Sequence, residues 1–371
     1  MRLRDTLISS PMRALRRRPS GDGALEPPPP CHVDFEDYVR ERESRDRSVH
    51  RRALLLFPPE RHLIPSKDLP LVQEFRKQIG ELGWSGSYWD NSLVAWRYLC
   101  ARDYDVAAAV GFFESDMAWR KEKNLATLVN TAEYGVVPKH LVQFKLAEIE
   151  AIRAVRRIAA HKTDREGRPI IYDRAGSLSV RAMRDITTPE RFFDYVVWFQ
   201  EAMLTIKLPA ASLHAGRPVT KIVCIFDLSG FKLSNFTAEY RALLKQIASI
   251  GIDHYPETLH HTYIVNSPAS FRVVWAFAKL ILPPSILAAI TVCGGQRDYL
   301  PRLLRDVCDK QNLPSFLGGD DDSLDWQQEV GPWAAYLPSL LPQEDRVVTL
   351  REEPRPAHGV VCEDEEYETF V

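Results

Sequence analysis

The 371-residue sequence has no Cys-x-x-Cys pair, no His/Cys cluster at metal-ligand spacing and none of the glycine-rich loops that hold nucleotides. Without G-x-G-x-x-G or G-x-x-x-x-G-K-S/T, dinucleotide and P-loop chemistry lose their usual phosphate cradle. Without G-x-S-x-G, the strained turn of an α/β hydrolase is also missing. Cys31, Cys100, Cys224, Cys293, Cys308 and Cys362 sit mostly among apolar neighbours. They read as small buried hydrophobes in a reducing compartment. No apolar N-terminal run resembles a secretory signal. Lysine and arginine number 48 against 50 acids, a net charge of −2, so no overall basic excess points to nucleic acid. No metal ligand set and no catalytic residue is assigned, and the expectation is a protein that is not an enzyme.

Charge is spread along the chain but uneven in sign at its two ends. Arg2, Arg4, Arg13, Arg16, Arg17 and Arg18 crowd the start, and Glu363, Asp364, Glu365, Glu366 and Glu368 the end. Residues 1–66, with the proline run Pro27–Pro30 and a charge-dense stretch at 40–52, read as a disordered basic and Pro-rich segment. Leu3, Leu7, Ile8, Met12 and Leu15 allow two other readings of its start, a membrane-surface helix or a mitochondrial presequence. From residue 68 the spacing of Leu71, Phe75, Ile79 and Leu82 predicts a helix stopped by Gly83. A second helix, capped by Asp90 or Ser92, carries Trp96 and Leu99, and a third runs from Val106 to about Lys123. This is a helical bundle, 67–135.

The pattern then changes to strand alternating with helix. Strands are expected at Pro169–Asp173, Lys221–Phe226, Thr262–Asn266 and Ala289–Cys293. Helices are expected at Pro189–Ile206, Thr237–Ile250, Ala269–Ile281 and Leu300–Val307. Such alternation implies a mainly parallel sheet in an α/β domain, 136–320. Residues 321–371 read as a partly ordered tail with an acidic end. Asp227, at the end of its strand, stands where active sites form in such sheets, but reads first as a loop-bracing or helix-capping carboxylate. The adjacent His260 and His261 read as solvated residues at a strand start.

One stretch is unusually greasy. Phe271–Cys293 reads FRVVWAFAKLILPPSILAAITVC, with only Arg272 and Lys279 charged. A membrane span needs about 20 unbroken apolar residues, and Pro283–Pro284 breaks this one. Val274, Trp275, Phe277, Leu280 and Ile281 cover more of a helix than one narrow stripe. An ordinary core helix and the lid of an apolar cavity both fit that distribution.

Several further motifs resemble the Sec14-like, or CRAL-TRIO, lipid-binding family. Ala95–Asp105 is similar to its LLRFLRARKFD helix and turn, and Trp119–Lys121 to its WRK. His161–Ile171 resembles HKTDKEGRPV, and Asp227–Gly230 stands at its DLKG. Tyr255–Glu257 with Tyr263–Pro268 resembles YPER…YIINAP, and Leu313–Gly319 resembles LPxxxGG. Val330–Trp333 echoes the tail of the yeast members. The order is the family's over about 250 residues.

The resemblance implies a helical bundle followed by a CRAL-TRIO domain with a mainly parallel sheet floor and a helical gate, the greasy segment. It implies a protein that holds one phospholipid and exchanges it at membranes, and that presents phosphatidylinositol to lipid-modifying enzymes. It implies headgroup binding by Arg102, Glu257, Thr258, Lys232 and Ser234. The acyl pocket and gate would be formed by Phe226, Phe271, Val274, Trp275, Phe277, Leu280, Ile281 and Ile286. The expected partners are a phospholipid ligand, a transient membrane surface and lipid kinases or other membrane-trafficking proteins, with no nucleic acid and no cofactor. The protein is expected to be a monomer, cytoplasmic and peripheral at membranes.

The chain also departs from the pattern. Asp103 replaces the second base of the turn, Thr258 the arginine after Glu257, and Ile286 and Ala289 the family's Thr and Lys. Ala159 and Ala160 stand where the family has tyrosines suited to a quaternary ammonium. Arg156 and Arg157 precede them, and with Lys232 they offer an anionic headgroup site or surface charge. A carrier of a sterol, isoprenoid or haem is therefore a second reading. A non-transferring interaction module, with Glu368–Val371 as a PDZ-type end, is a third.

Overall fold

A computed structural model describes residues 50–87, 89–123, 125, 146–326 and 330–331. The basic N-terminal stretch, the 135/136 boundary, the acidic end and its PDZ-type terminus, Cys31 and Cys362 lie outside the described residues. Helix α1 spans His50–Leu56, and the bundle follows as α2 (Leu69–Ile79), α3 (Ser92–Cys100) and α4 (Val106–Glu122). Next come α5 (Leu146–Val155), β1 (Ile158–Thr163), β2 (Pro169–Asp173), α6 (Pro189–Ala202) and α7 (Leu208–Ala215). Then come β3 (Ile222–Asp227), α8 (Ala238–His254), β4 (Leu259–Val265), α9 (Phe271–Ile281), α10 (Pro284–Ala288), β5 (Ile290–Val292) and α11 (Gln296–Asp306).

The bundle forms around aromatic rings. Phe75, Tyr98 and Phe113 meet pairwise with centroids 5.3–6.1 Å apart, one ring from each helix. The cap of α3 is neither residue expected. Asn91 accepts the Val94 amide, while Asp90 takes a hydrogen bond from Arg76 Nε at 2.7 Å. Asparagine reaches the third amide of a helix as well as serine or aspartate does, so composition alone leaves the choice open. Residues 50–56, inside the stretch read as disordered, form α1. Its Ala53 is buried, and Leu54 and Phe57 line a crevice with Leu204 and Leu208, so tertiary contact overrides the charge-rich flank.

Five strands lie in sequence order, β1-β2-β3-β4-β5, with β1 antiparallel and the rest parallel. Parallel crossovers are almost always right-handed. Successive right-handed crossovers that always step the same way leave their helices on one face. Alternation along each strand gives that face Ile158, Ala160, Ile171, Cys224 and Ile264, packed with Phe192, Trp198, Phe199 and the α9 residues Phe271 and Val274. The opposite face carries Ile170, Tyr172, Val223, Ile225 and Val265, covered by Leu303 and Val307. Burial on both faces explains why β3 is an unbroken apolar run. Helix α6 extends past Ala202 through a wide turn, Met203–Lys207, into α7, so the helix expected to end at Ile206 runs on to Ala215.

A buried arginine fastens the bundle to this domain, beside a bond from Arg97 Nη2 to the Thr220 carbonyl at 2.8 Å. Arg120, 1% exposed, donates to Asp116 at 2.9 Å, to Glu201 at 2.6 Å and to the His254 carbonyl. Tyr98 donates to Asp116, Tyr255 to Glu201 at 2.8 Å, and His254 Nδ1 lies 2.8 Å from Asp116. Burial first, then the neighbouring carboxylates, push both tyrosine hydroxyls well above their ordinary range.

At the far edge, Asp321 closes β1. It accepts from His161 at 2.7 Å and Lys162 at 2.9 Å, and from Ser323. Burial alone would raise its carboxyl, but the bonds from Ser323, His161 and Lys162 hold it well below the carboxylate range. The LPxxxGG segment leads here. A Cβ at Gly319 would sit 1.7 Å from the Leu313 carbonyl oxygen, so only glycine fits.

Replacing Arg120 with Met strands two buried carboxylates and is expected to cost about 3–5 kcal/mol in urea unfolding. The Asp321 contribution has the sign of a depressed acid, complete above about pH 4 and lost as pH falls below it. Asp321→Asn should flatten the acid limb of a stability-against-pH curve, and an unchanged limb would refute the role.

Candidate functional site

The gate segment is pinned at both ends and loosely seated between them. At its start, Asn266 bonds Asp227 Oδ1 through Nδ2 at 2.9 Å, and the Ser267 hydroxyl donates to the Cys293 carbonyl at 2.6 Å. At its end, Leu282 and Pro283 are extended, and Pro284 opens α10, a position where the missing N–H costs nothing. Between these points Phe271 and Val274 are buried and Trp275 and Phe277 half-buried. The rings holding α9 down come from the loop after β3. Phe231 meets Phe271 edge-on at 6.5 Å and Phe236 meets Phe277 at 5.6 Å. Phe226 and Ile290 lie at the edge of the same layer.

Leu280, grouped with these residues in the sequence reading, points the other way and is 81% exposed; Val273 is 45% exposed. The outer face of α9 therefore shows Val273 and Leu280 beside exposed Arg272 and Lys279. Its helical spacing allowed Leu280 either side, because a helix apolar nearly all round hides which half faces the sheet. Ile281 and Ile286 are half-buried near the break.

The expected headgroup residues separate into two places. Arg102, Glu257 and Thr258 lie where β3 and β4 begin. Arg102 stacks over the Phe112 ring at 3.5 Å and donates to the Ala101 carbonyl. Glu257, held at φ 57°, accepts from Lys221 Nζ at 2.6 Å. Thr258 is buried and donates to the Tyr255 carbonyl. Lys232 and Ser234 are exposed on the loop that follows the other end of β3. Six residues of strand separate the two places by roughly 20 Å, beyond the reach of one headgroup. Lys221 was missed by sequence reasoning. A lone lysine before a strand carries no signal until β3 and β4 are paired.

The trio Arg156, Arg157 and Lys232 is likewise divided. Arg157 and Lys232 are exposed, whereas Arg156 turns inward and pairs with Asp173 at 2.8 Å. Asp227 accepts from Ser229 and Asn266 and pairs with Arg174 at 3.3 Å, which makes it a brace of the gate's root. His260 is exposed, and His261 bonds Thr291 at 2.8 Å across to β5. Among the described residues no group of His, Cys, Asp or Glu is arranged to hold a metal, and no helix is long and apolar enough to cross a membrane.

The CRAL/TRIO domain family matches residues 157–319. SEC14 cytosolic factor of Kluyveromyces lactis is 30% identical over 270 residues, 71% of this chain and 83% of that protein. The chain belongs to the Sec14-like CRAL/TRIO family. Phosphatidylinositol/phosphatidylcholine transfer protein SFH11 of Arabidopsis thaliana is 33% identical over 244 residues, 64% of this chain and 60% of that protein. Phosphatidylinositol/phosphatidylcholine transfer protein SFH4 of the same plant is 29% identical over 303 residues, 81% of this chain and 46% of that protein. The chain thus spans about half the length of these two plant relatives. The matched segment runs from β1 through the LPxxxGG turn, so it contains the sheet, the gate and its aromatic seat.

If the seat holds α9 closed, Phe236→Ala should loosen it locally. Hydrogen exchange of the α9 amides should rise about tenfold with that of β3 unchanged, since each aromatic pair is worth about 0.5–1.5 kcal/mol.

Proposed function

We propose that this chain is a lipid carrier of the Sec14 type, holding one phospholipid-sized molecule between the gate-side face of the sheet and α9 and exchanging it at membranes. The observation that carries the reading is the gate. It is an apolar helix anchored at both ends, with aromatic groups inward and Val273, Leu280, Arg272 and Lys279 outward. An acyl chain gains about 0.8 kcal/mol for each methylene removed from water, so a carried lipid needs a closed apolar layer. Release needs that layer to open onto a bilayer. A hinged helix with apolar residues on its outside and bases at its rim meets both demands.

In this reading residues 67–135 form the supporting bundle and 136–320 the carrier domain. Phe226, Phe271, Val274, Trp275, Phe277, Ile281 and Ile286 line the acyl layer and its gate. Arg102, Glu257 and Thr258, joined by Lys221, form a polar mouth at one end of the sheet. Lys232 and Ser234 belong to the other end. The relatives' names support phosphatidylinositol and phosphatidylcholine as cargo, and the cytosolic factor's name supports a cytosolic location. Presentation of lipid to modifying enzymes is part of the proposal. No bond is made or broken, and the bound lipid is the only ligand required.

Transfer of labelled phosphatidylinositol and phosphatidylcholine between vesicle populations tests the reading. The chain should accelerate exchange, and Trp275→Asp should abolish it while far-UV circular dichroism stays unchanged. No acceleration for any lipid, with no lipid found by mass spectrometry of the purified protein, would overturn it.

A further inference from the structure

Among the described residues, the gate-side layer includes a buried ionic pair near its β1 edge. Arg156, at the step from α5 into β1, donates through Nη2 to Asp173 Oδ2 at 2.8 Å. The two side chains are 12% and 5% exposed. Asp173 lies on the face of the sheet that carries Ile171, opposite Ile158 in the register. The Phe192 ring lies 5.5 Å from the guanidinium. Tyr195 and Tyr240 are within electrostatic reach of Arg156, and Asp173 acts on Cys224 as well. Burial, then Asp173, pushes the Tyr240 hydroxyl up to about 12, against the pull of Arg156.

Two of the guanidinium's donors, Nε and Nη1, are sealed from solvent and meet no acceptor among the described residues. A buried charged donor without an acceptor loses its hydration with no return. Such a group on the wall of a ligand layer calls for a ligand oxygen. The pair also restricts which oxygen. Arg156 and Asp173 cancel each other, so an anion would leave a net buried negative charge, and a quaternary ammonium would face the guanidinium. A hydroxyl satisfies both partners. Its oxygen accepts from Arg156 and its proton turns to Asp173, with no change in net charge.

We infer that Arg156 and Asp173 form a subsite for an uncharged hydroxyl on the carried lipid and discriminate against a quaternary ammonium headgroup. The inference rests on the carrier reading above. A sterol, a diacylglycerol and the ring of an inositol lipid all supply that chemistry, and separate arms of one experiment distinguish them.

The full chain is assayed with phosphatidylcholine vesicles carrying a labelled sterol, diacylglycerol, phosphatidylinositol or phosphatidylcholine. At least one hydroxyl lipid should move at least about tenfold faster than phosphatidylcholine, in line with sites built to bond a hydroxyl. Arg156→Gln should erase that preference without slowing phosphatidylcholine. Because it strands Asp173, the double variant Arg156→Gln/Asp173→Asn is run beside it. That variant leaves no buried charge, and its thermal melt shows that it folds. Equal transfer of phosphatidylcholine and the hydroxyl lipids by the wild type, or a preference that survives in the folded double variant, would overturn the subsite alone. Equal loss for every lipid would make the pair structural and also overturn it. No transfer in any arm would overturn the carrier reading itself.

Discussion

The guanidinium of Arg120 is the fixed point of this molecule. It touches α4 through Asp116, the end of α6 through Glu201 and the end of α8 through the His254 carbonyl. The rings of Trp89 and Tyr255 lie 4.6 and 5.4 Å from it. Helices α6 and α8 form walls of the gate-side layer, and both reach the bundle at their C-terminal ends. Buried charge is tolerated here because the carboxylates are shared by several donors, and removing any one partner leaves another uncompensated. The walls of the layer are therefore held from the side of the bundle.

The gate is built on the opposite principle. Helix α9 has only Phe271 and Val274 fully buried, and it is seated by ring edges rather than by ions. Such contacts are individually small, so each breaks and reforms at low cost. Asn266 and Ser267 tie its start to Asp227 and the Cys293 carbonyl, and the proline break ends the helix at Leu282. A rigid wall beside a weakly seated lid is the distribution of local stability expected where a ligand must come and go.

Much of this organisation was legible along the chain. The bundle helices, the apolar run of β3 and the strand–helix alternation follow from hydrophobic spacing. The ordered motifs place the chain in its family. Other features gave no local signal. Strand β1, reading IAAHKT, has too little β-branched or apolar content to announce itself without β2 beside it. Helix α1 is preceded by charged residues, and its buried Ala53 and its contacts with Leu204 and Leu208 come from across the fold. Leu280 shares the composition of its neighbours yet faces outward, because helical spacing fixes which residues share a face but not which face is covered.

The sequence by itself determined an α/β protein of the Sec14 type with a broken greasy segment over its sheet. Those are properties of periodicity and of contiguous motifs. The tertiary structure alone decided which polar residues meet. Arg102 and Glu257 fall at one end of the strands and Lys232 and Ser234 at the other, because strand length separates residues that a motif list groups. Arg156 meets Asp173 because an antiparallel pairing brings the start of β1 to the end of β2. A charge read as part of a basic patch thus becomes half of a neutral buried pair.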